Sequence, residues 1–251
     1  MGALSVLTAR PIAHRGLHDS ASGIIENTPS AVGAAIAQGY GIEVDIQRSA
    51  DGEALVFHDF TLERLTGGQG PLSAQSADAL EEIAFKGTAD RMMRLSDLLE
   101  QVRGRVPLLI EIKSAFCGDT RLAERAARLL AAYEGPAALM SFDPDMVAKV
   151  REVAPTVPRG IVAERHYTHA EWAGLPAARR FMLGHLLHWP VSRFQFVAYK
   201  VADLDAAAPL LARALGLPLL TWTVRTPAER EKARRRADQM IFEGFRPGPA
   251  A

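Results

Sequence analysis

Glu43-Val44-Asp45 and Glu111-Ile112-Lys113 each hold two charged side chains two residues apart, inside runs that are otherwise apolar. Side chains on a strand alternate between faces, so Glu43 and Asp45 share a face opposite Val44, and Glu111 and Lys113 share one opposite Ile112. Charges aimed among apolar neighbours are costly unless paired or metal-bound. Glu43, Asp45 and Glu111 together would make an oxygen-only donor set, which suits one hard divalent cation, Mg²⁺ or Ca²⁺, better than zinc. Ion pairing is the competing use: Glu43 and Asp45 with Arg15 or Arg48, and Glu111 with Lys113. His14-Arg15-Gly16 and His58-Asp59 add two imidazoles, whose ordinary pKa of about 6.5 serves proton transfer in both directions near neutral pH. A cation site with Arg15, Lys113 and two histidines is equipment for phosphoryl transfer, because positive groups stabilise phosphate charge while imidazoles move protons.

The elements that must position these residues alternate in type. Strand character falls at Pro11–Ala13, Gly41–Ile46, Ala54–Phe57, Pro107–Ile112, Ala137–Phe142, Gly160–Ala163, Gln195–Lys200, Pro218–Val224 and Gln239–Phe242. Ser30–Gln38 reads as a helix capped by Thr28, with Pro29 at its first position and Gly39 as its stop. Apolar residues recur at helical spacing in Arg121–Tyr133 and Pro144–Val153, and in Leu204–Leu215 through Leu204, Ala208, Leu211 and Leu215. Thr226-Pro227 starts a last helix that runs to about Arg235.

Strand–helix alternation predicts parallel strands covered by helices. The link between Ile46 and Ala54 is too short for a crossover helix and suits a hairpin turning at Asp51-Gly52, which places position 45 roughly opposite 58. With that hairpin as an excursion after the second strand, the remaining runs count to eight, the pattern of a (β/α)8 TIM barrel of one domain, residues 1–251. The charged residues then stand at strand C-terminal ends, the face where such barrels carry active sites. An open doubly wound sheet lacks support, since no glycine-rich nucleotide motif follows the first strand.

Composition narrows the partners. Basic residues balance acidic ones, 29 to 29, which argues against nucleic acid or an anionic membrane surface as a stable partner. Of the basic residues 24 are Arg and 5 are Lys, which singles out Lys113 and Lys200 for inspection. One cysteine, Cys117, cannot form an internal disulfide, and the first residues lack a basic signal-peptide start, so a cytoplasmic location is expected. No window reaches the apolar length of a membrane span.

The ordered set His14-Arg15-Gly16, Glu26-Asn27-Thr28, Glu43-Val44-Asp45, His58-Asp59 and Glu111-Ile112-Lys113, followed by Ser141-Phe142 and Trp222-Thr223-Val224, resembles the glycerophosphodiester phosphodiesterase family over nearly the whole chain. The resemblance implies a metal-dependent enzyme that cleaves a glycerophosphodiester to glycerol 3-phosphate and an alcohol. In it His14 and His58 would be acid and base, Glu43, Asp45 and Glu111 metal ligands, and Arg15 and Lys113 phosphate and transition-state stabilisers. Phe142 and Trp222 read either as barrel fillers or as a wall for the substrate. Where relatives often end the last strand with an Asp-containing segment, this chain has Glu243, and the substrate-shaping segment Thr61–Met93 is short. Two alternatives stand beside this: a related activity on lysophospholipids, and a non-catalytic phosphodiester-binding protein. Lys200 is a candidate phosphate contact, Asp59 is expected to point away from His58, and His18, His166, His169, His185 and His188 fall outside the set.

Overall fold

A computed structural model describes residues 3–169 and 172–248. All nine expected strands form: β1 (Ile12–Ala13), β2 (Gly41–Arg48), β3 (Ala54–Val56), β4 (Leu108–Ile112), β5 (Ala137–Ser141), β6 (Arg159–Ala163), β7 (Phe196–Lys200), β8 (Leu219–Val224) and β9 (Gln239–Phe242). Eight of them run parallel in the cyclic order β1-β2-β4-β5-β6-β7-β8-β9, and β1 closes the ring by pairing with both β2 and β9. The closed parallel barrel with helices between strands is the TIM-barrel architecture, and β3 stands outside the ring as the antiparallel hairpin arm of β2.

Strand alternation divides the apolar residues into two cores. Ile12, Leu109, Met140, Val162, Ala198, Leu220 and Ile241 point inward and fill the barrel. Ile42, Val44, Ile46, Ile110 and Ile112 point outward and join the covering helices in a larger cluster. Burying each such side chain contributes roughly 1.5–3 kcal/mol. Phe196 also fills the interior, and it needs Gly160: a Cβ there would lie 2.2 Å from the Phe196 ring. The short helix α1 (Ala3–Leu7) places Leu7 against the inner cluster.

The helices α2 (Pro29–Ala37), α3 (Ala77–Glu82), α4 (Leu95–Val102), α5 (Arg121–Ala131), α6 (Pro144–Val153), α7 (Ala177–Gly184), α8 (Trp189–Ser192), α9 (Ala207–Ala214) and α10 (Pro227–Arg236) follow. Thr28 caps α2 and Thr226 caps α10 through the expected hydroxyl–amide bonds, the latter completed by Glu229. Among the described residues no helix is long and apolar enough to cross a membrane. In the segment Thr61–Met93, Leu62, Leu72, Leu80, Phe85 and Met92 pack with Leu55 and Phe57 into their own buried cluster.

Two expectations are corrected. The hairpin turns through three residues, Ala50, Asp51 and Gly52, because Ser49 N–H donates to the Glu53 carbonyl, so position 45 lies opposite 57 and His58 comes one residue later. The helix expected from Leu204 starts at Ala207 instead, since Pro209 is tolerated only in a first turn. That shift buries Pro209 and Ala212 and leaves Leu211 and Leu215 at 61% and 73% exposure.

His188 is buried at the start of α8, with Nδ1 3.0 Å from the Ser192 hydroxyl, its ring against Phe194, and Nε2 without a partner among the described residues. Burial lowers its pKa to about 4. A histidine with a folded-state pKa below its unfolded value gains protons on unfolding, so the fold loses stability as pH falls from about 6.5 towards 4, by at most on the order of 3 kcal/mol. Thermal unfolding across that window is expected to show a flatter acid limb in His188→Leu than in the wild type. Superimposable limbs would remove His188 as the cause.

Candidate active site

The barrel's C-terminal mouth holds a cavity of about 400 Å³ lined by His14, Arg15, Glu43, Asp45, His58, Glu111 and Lys113, the seven residues expected above as acid and base, metal ligands and phosphate stabilisers. Phe142 and Trp222 also line it, their rings edge to face with centroids 5.5 Å apart. Each side chain owes its place to strand geometry. Glu43 and Asp45 come from the inner face of β2, Glu111 from β4, where it pairs in register with Asp45, and Lys113 from the residue just past β4.

Glu43, Asp45 and Glu111 are buried, and one oxygen from each lies within 4.8 Å of the others. Lys113 Nζ contacts Asp45 Oδ1 at 2.7 Å and Glu111 Oε1 at 2.5 Å, and Arg15 Nε lies 3.2 Å from Asp45 Oδ2. Asp45 and Glu111 are therefore ion-paired as well as clustered with Glu43, whereas Glu43 takes the Arg15 backbone N–H and no Arg or Lys side chain among the described residues, and Arg48 pairs with Asp119 instead of either acid. The charge is not evenly satisfied. Burial and the adjacent Asp45 and Glu111 carboxylates push Glu43 well above the usual carboxylate range. Burial also acts on Asp45, but Lys113 and Arg15 overcome it and hold that carboxyl well below its ordinary value. Burial raises Glu111 against the pull of Lys113. An all-oxygen buried donor set of three acids, of which only Asp45 and Glu111 are paired with Arg15 or Lys113, fits a hard divalent cation.

Asn27 organises this cluster. It sits at φ 58°, donates from Nδ2 to Asp45 Oδ2 at 3.0 Å, and accepts the Asp45 backbone N–H. The neighbouring Glu26 receives Arg15 and Arg64. Gly16, at φ 80°, brings the chain so close to Ala31 that a Cβ would meet it at 2.8 Å. That turn delivers the Arg15 amide to Glu43 Oε2 at 2.9 Å.

Each histidine is backed by a carboxylate. His14 Nδ1 lies 2.7 Å from Glu243 Oε2, and its Nε2 lies 4.0 Å from Glu43. His58 Nδ1 lies 2.7 Å from Asp59 Oδ1, which corrects the expectation that Asp59 points away. Alternation fails there because His58 follows the end of β3 and the chain has left the strand. A carboxylate on Nδ1 holds the proton on that nitrogen of a neutral ring and leaves Nε2 to exchange protons. Burial, with Arg15 adding to it against the Glu243 hydrogen bond, lowers His14 to about 4. The hydrogen bond to His14, helped by Arg225, takes Glu243 down to about 2.

Of the remaining wall the sequence marked Lys200 alone. Lys200 reaches the cavity but is held by Glu164 at 2.6 Å and lies 3.0 Å from His169, which therefore belongs to the site's rim. His18 also lies close to His14 and Glu243. Trp172, in the connection between β6 and α7, donates to Glu164 and packs on Phe142 with centroids 4.8 Å apart. The adjacency of His58 and Asp59 was the available signal for that pair. Nothing local marks Trp172 or Glu164.

Comparison with known proteins agrees with this geometry. The profile of the Glycerophosphoryl diester phosphodiesterase family matches residues 14–244, from His14 to one residue past Glu243. A glycerophosphodiester phosphodiesterase of Caldanaerobacter subterraneus subsp. tengcongensis is 29% identical over 161 residues, 60% of this chain and 65% of that one. The Bacillus subtilis protein YhdW, named for the same activity, is 28% identical over 181 residues, 68% of this chain and 72% of its own length. Among solved structures, an Oleispira antarctica phosphodiesterase in complex with the product sn-glycerol-3-phosphate superposes with a TM-score of 0.78 at 20% identity, covering 97% of this chain and 95% of its own. A Thermotoga maritima glycerophosphodiester phosphodiesterase gives 0.69 at 22%, covering 92% of each. The structural likenesses establish the shared fold, and the profile match, which spans the acids, both histidines and their partners, establishes that the chain belongs to the glycerophosphoryl diester phosphodiesterase family.

Proposed function

We propose that this chain hydrolyses glycerophosphodiesters to glycerol 3-phosphate and an alcohol, using His14 and His58 as a proton-transfer pair beside one divalent cation, Mg²⁺ or Ca²⁺, held by Glu43, Asp45 and Glu111. The observation that carries this is one cavity in which two carboxylate-backed imidazoles accompany a buried three-carboxylate cluster. A protein that only bound phosphodiesters would have no use for two such imidazoles. The solved relative that holds sn-glycerol-3-phosphate supports the product class.

The bound cation supplies positive charge to the reacting oxygens. His14, lowered to about 4, is unprotonated at neutral pH and takes the proton from the glycerol 2-hydroxyl as that oxygen attacks phosphorus. An internal nucleophile has the entropic advantage of proximity, and no protein nucleophile is required. Arg15 and Lys113, both raised above their ordinary values by the acids around them, stay charged and stabilise the phosphoryl oxygens. His58 gives its proton to the departing alcohol oxygen. Water then opens the cyclic phosphate with the two histidines exchanging roles, and the proton count closes. Glu243 and Asp59 position the rings, and Phe142 and Trp222 form the apolar side of the cavity.

The reading is tested by release of glycerol 3-phosphate from glycerophosphocholine and glycerophosphoethanolamine, with chelator, Mg²⁺ and Ca²⁺ in parallel. Product that chelator abolishes and one cation restores is the expected result. Product that persists undiminished in chelator would overturn the cation's role, and no product from folded protein under any condition would overturn the activity.

A further inference from the structure

Beside the catalytic cavity lies a second chamber of about 390 Å³, which shares Glu111, Lys113, Phe142 and Trp172 with it. Its own walls are Phe60, Phe116, Leu175, Pro176 and Arg179. The catalytic cavity has the three acids and His14, where the glycerol 2-hydroxyl must sit. The chamber shares Lys113, the proposed phosphate-stabilising cation, but not His14, Glu43 or Asp45, and its wall residue Phe60 is two positions after His58. The other half of the diester, the alcohol that His58 protonates, is therefore the group that reaches it.

The chamber's chemistry is narrow. Glu111 and Lys113 are paired with each other at 2.5 Å. The hydroxyl of Ser114 donates to Asp143 and accepts the Phe116 amide, while that of Ser141 donates to the Ile112 carbonyl and accepts the Asp143 amide. Arg179 is the polar group with donors to spare: its ion pairs with Asp143 and Asp145, both at 3.6 Å, run through one terminal nitrogen, and among the described residues its guanidinium makes no side-chain hydrogen bond. Neither of those acids lines the chamber. The guanidinium lies 5.2 Å from the centre of the Phe116 ring, over the face that a quaternary ammonium would need. Phe60, half exposed, adds an apolar ring to the same lining.

We infer that this chamber is a subsite for the leaving alcohol and that it selects a polyol, such as glycerol or inositol, over choline. Resting on the phosphodiesterase reading above, the inference assigns Arg179 as the specificity-determining residue: its planar donors take neighbouring hydroxyls, and its charge repels a trimethylammonium group.

The test compares kcat/KM for glycerophosphoinositol, glycerophosphoglycerol and glycerophosphocholine in the wild type and in Arg179→Gln and Phe60→Ala, with thermal unfolding as the check on folding. The wild type is expected to favour both polyol substrates by about tenfold or more, the scale of one hydrogen bond to a charged group. Arg179→Gln is expected to lose most of that preference, with glycerophosphocholine changed by less than about twofold. Phe60→Ala is expected to lower the polyol substrates more than glycerophosphocholine. Equal wild-type rates on all three, or an Arg179→Gln loss shared equally by all three, would overturn the subsite while leaving the phosphodiesterase reading intact. Absence of glycerol 3-phosphate from every substrate would overturn that reading and this inference with it.

Discussion

Alanine at His14 or at His58 lowers kcat on a glycerophosphodiester by about 10²–10⁴-fold, the range of a positioned general acid or base, with little change in KM. Neither substitution removes a core side chain, so the melting temperature is expected to stay within a few degrees of the wild type. The partners separate chemistry from positioning. Glu243→Gln keeps an oxygen near His14 Nδ1 but takes away the charge that orients the imidazole and stabilises its protonated form, so a smaller loss, about tenfold, is expected together with a shifted pH–rate profile. Asp59→Asn should behave in the same way at His58. Steady-state rates over pH check all four variants, and full turnover by either histidine variant would take that histidine out of the mechanism.

Glu43→Gln is expected to move activity and stability in opposite directions. Glu43 is raised by burial and by the carboxylates of Asp45 and Glu111. A carboxyl whose folded pKa lies above its unfolded value contributes stability below the unfolded value and loses it as pH rises through the folded one. At neutral pH without a cation, Glu43 therefore works against the fold, because its carboxyl must either be charged in a buried site or hold a proton that the unfolded chain would release. Glutamine still accepts the Arg15 amide but carries no charge. In chelator the variant should be more stable than the wild type by about 1–2 kcal/mol, or about 2–8 °C in melting temperature. Mg²⁺ or Ca²⁺ should stabilise the wild type and leave the variant nearly unmoved, with activity down by at least about 100-fold. Equal cation-induced shifts in both proteins, measured by thermal unfolding with no substrate present, would mean that the acids do not hold the ion.

Much of this site could be read in advance because its parts are short and strand-borne. Glu43 and Asp45, and Glu111 and Lys113, have their relative orientation set by a two-residue period that any strand must obey. The failures come where that period stops. His58 leaves β3 before its expected partner position, because the hairpin turns on Ala50, Asp51 and Gly52. Its meeting with Asp59 then depends on loop dihedrals and on Arg64, which holds Asp59 in place. Pro209 displaced the start of α9, a local rule that the apolar spacing of Leu204, Ala208, Leu211 and Leu215 concealed.

What the sequence by itself determined was the alternation of strands and helices, the inward facing of the acids and the kinds of group present, since these follow from local periodicity and side-chain chemistry. Only the tertiary structure decided the pairings across long separations: Glu243 against His14 over 229 residues, Asn27 against Asp45, Lys200 against Glu164, and Trp172 folded over Phe142. The reason is the closed barrel. Joining β1 to both β2 and β9 brings His14, just past the first strand, and Glu243, just past the last, to one mouth, and which side chains meet there is set by ring closure and strand stagger.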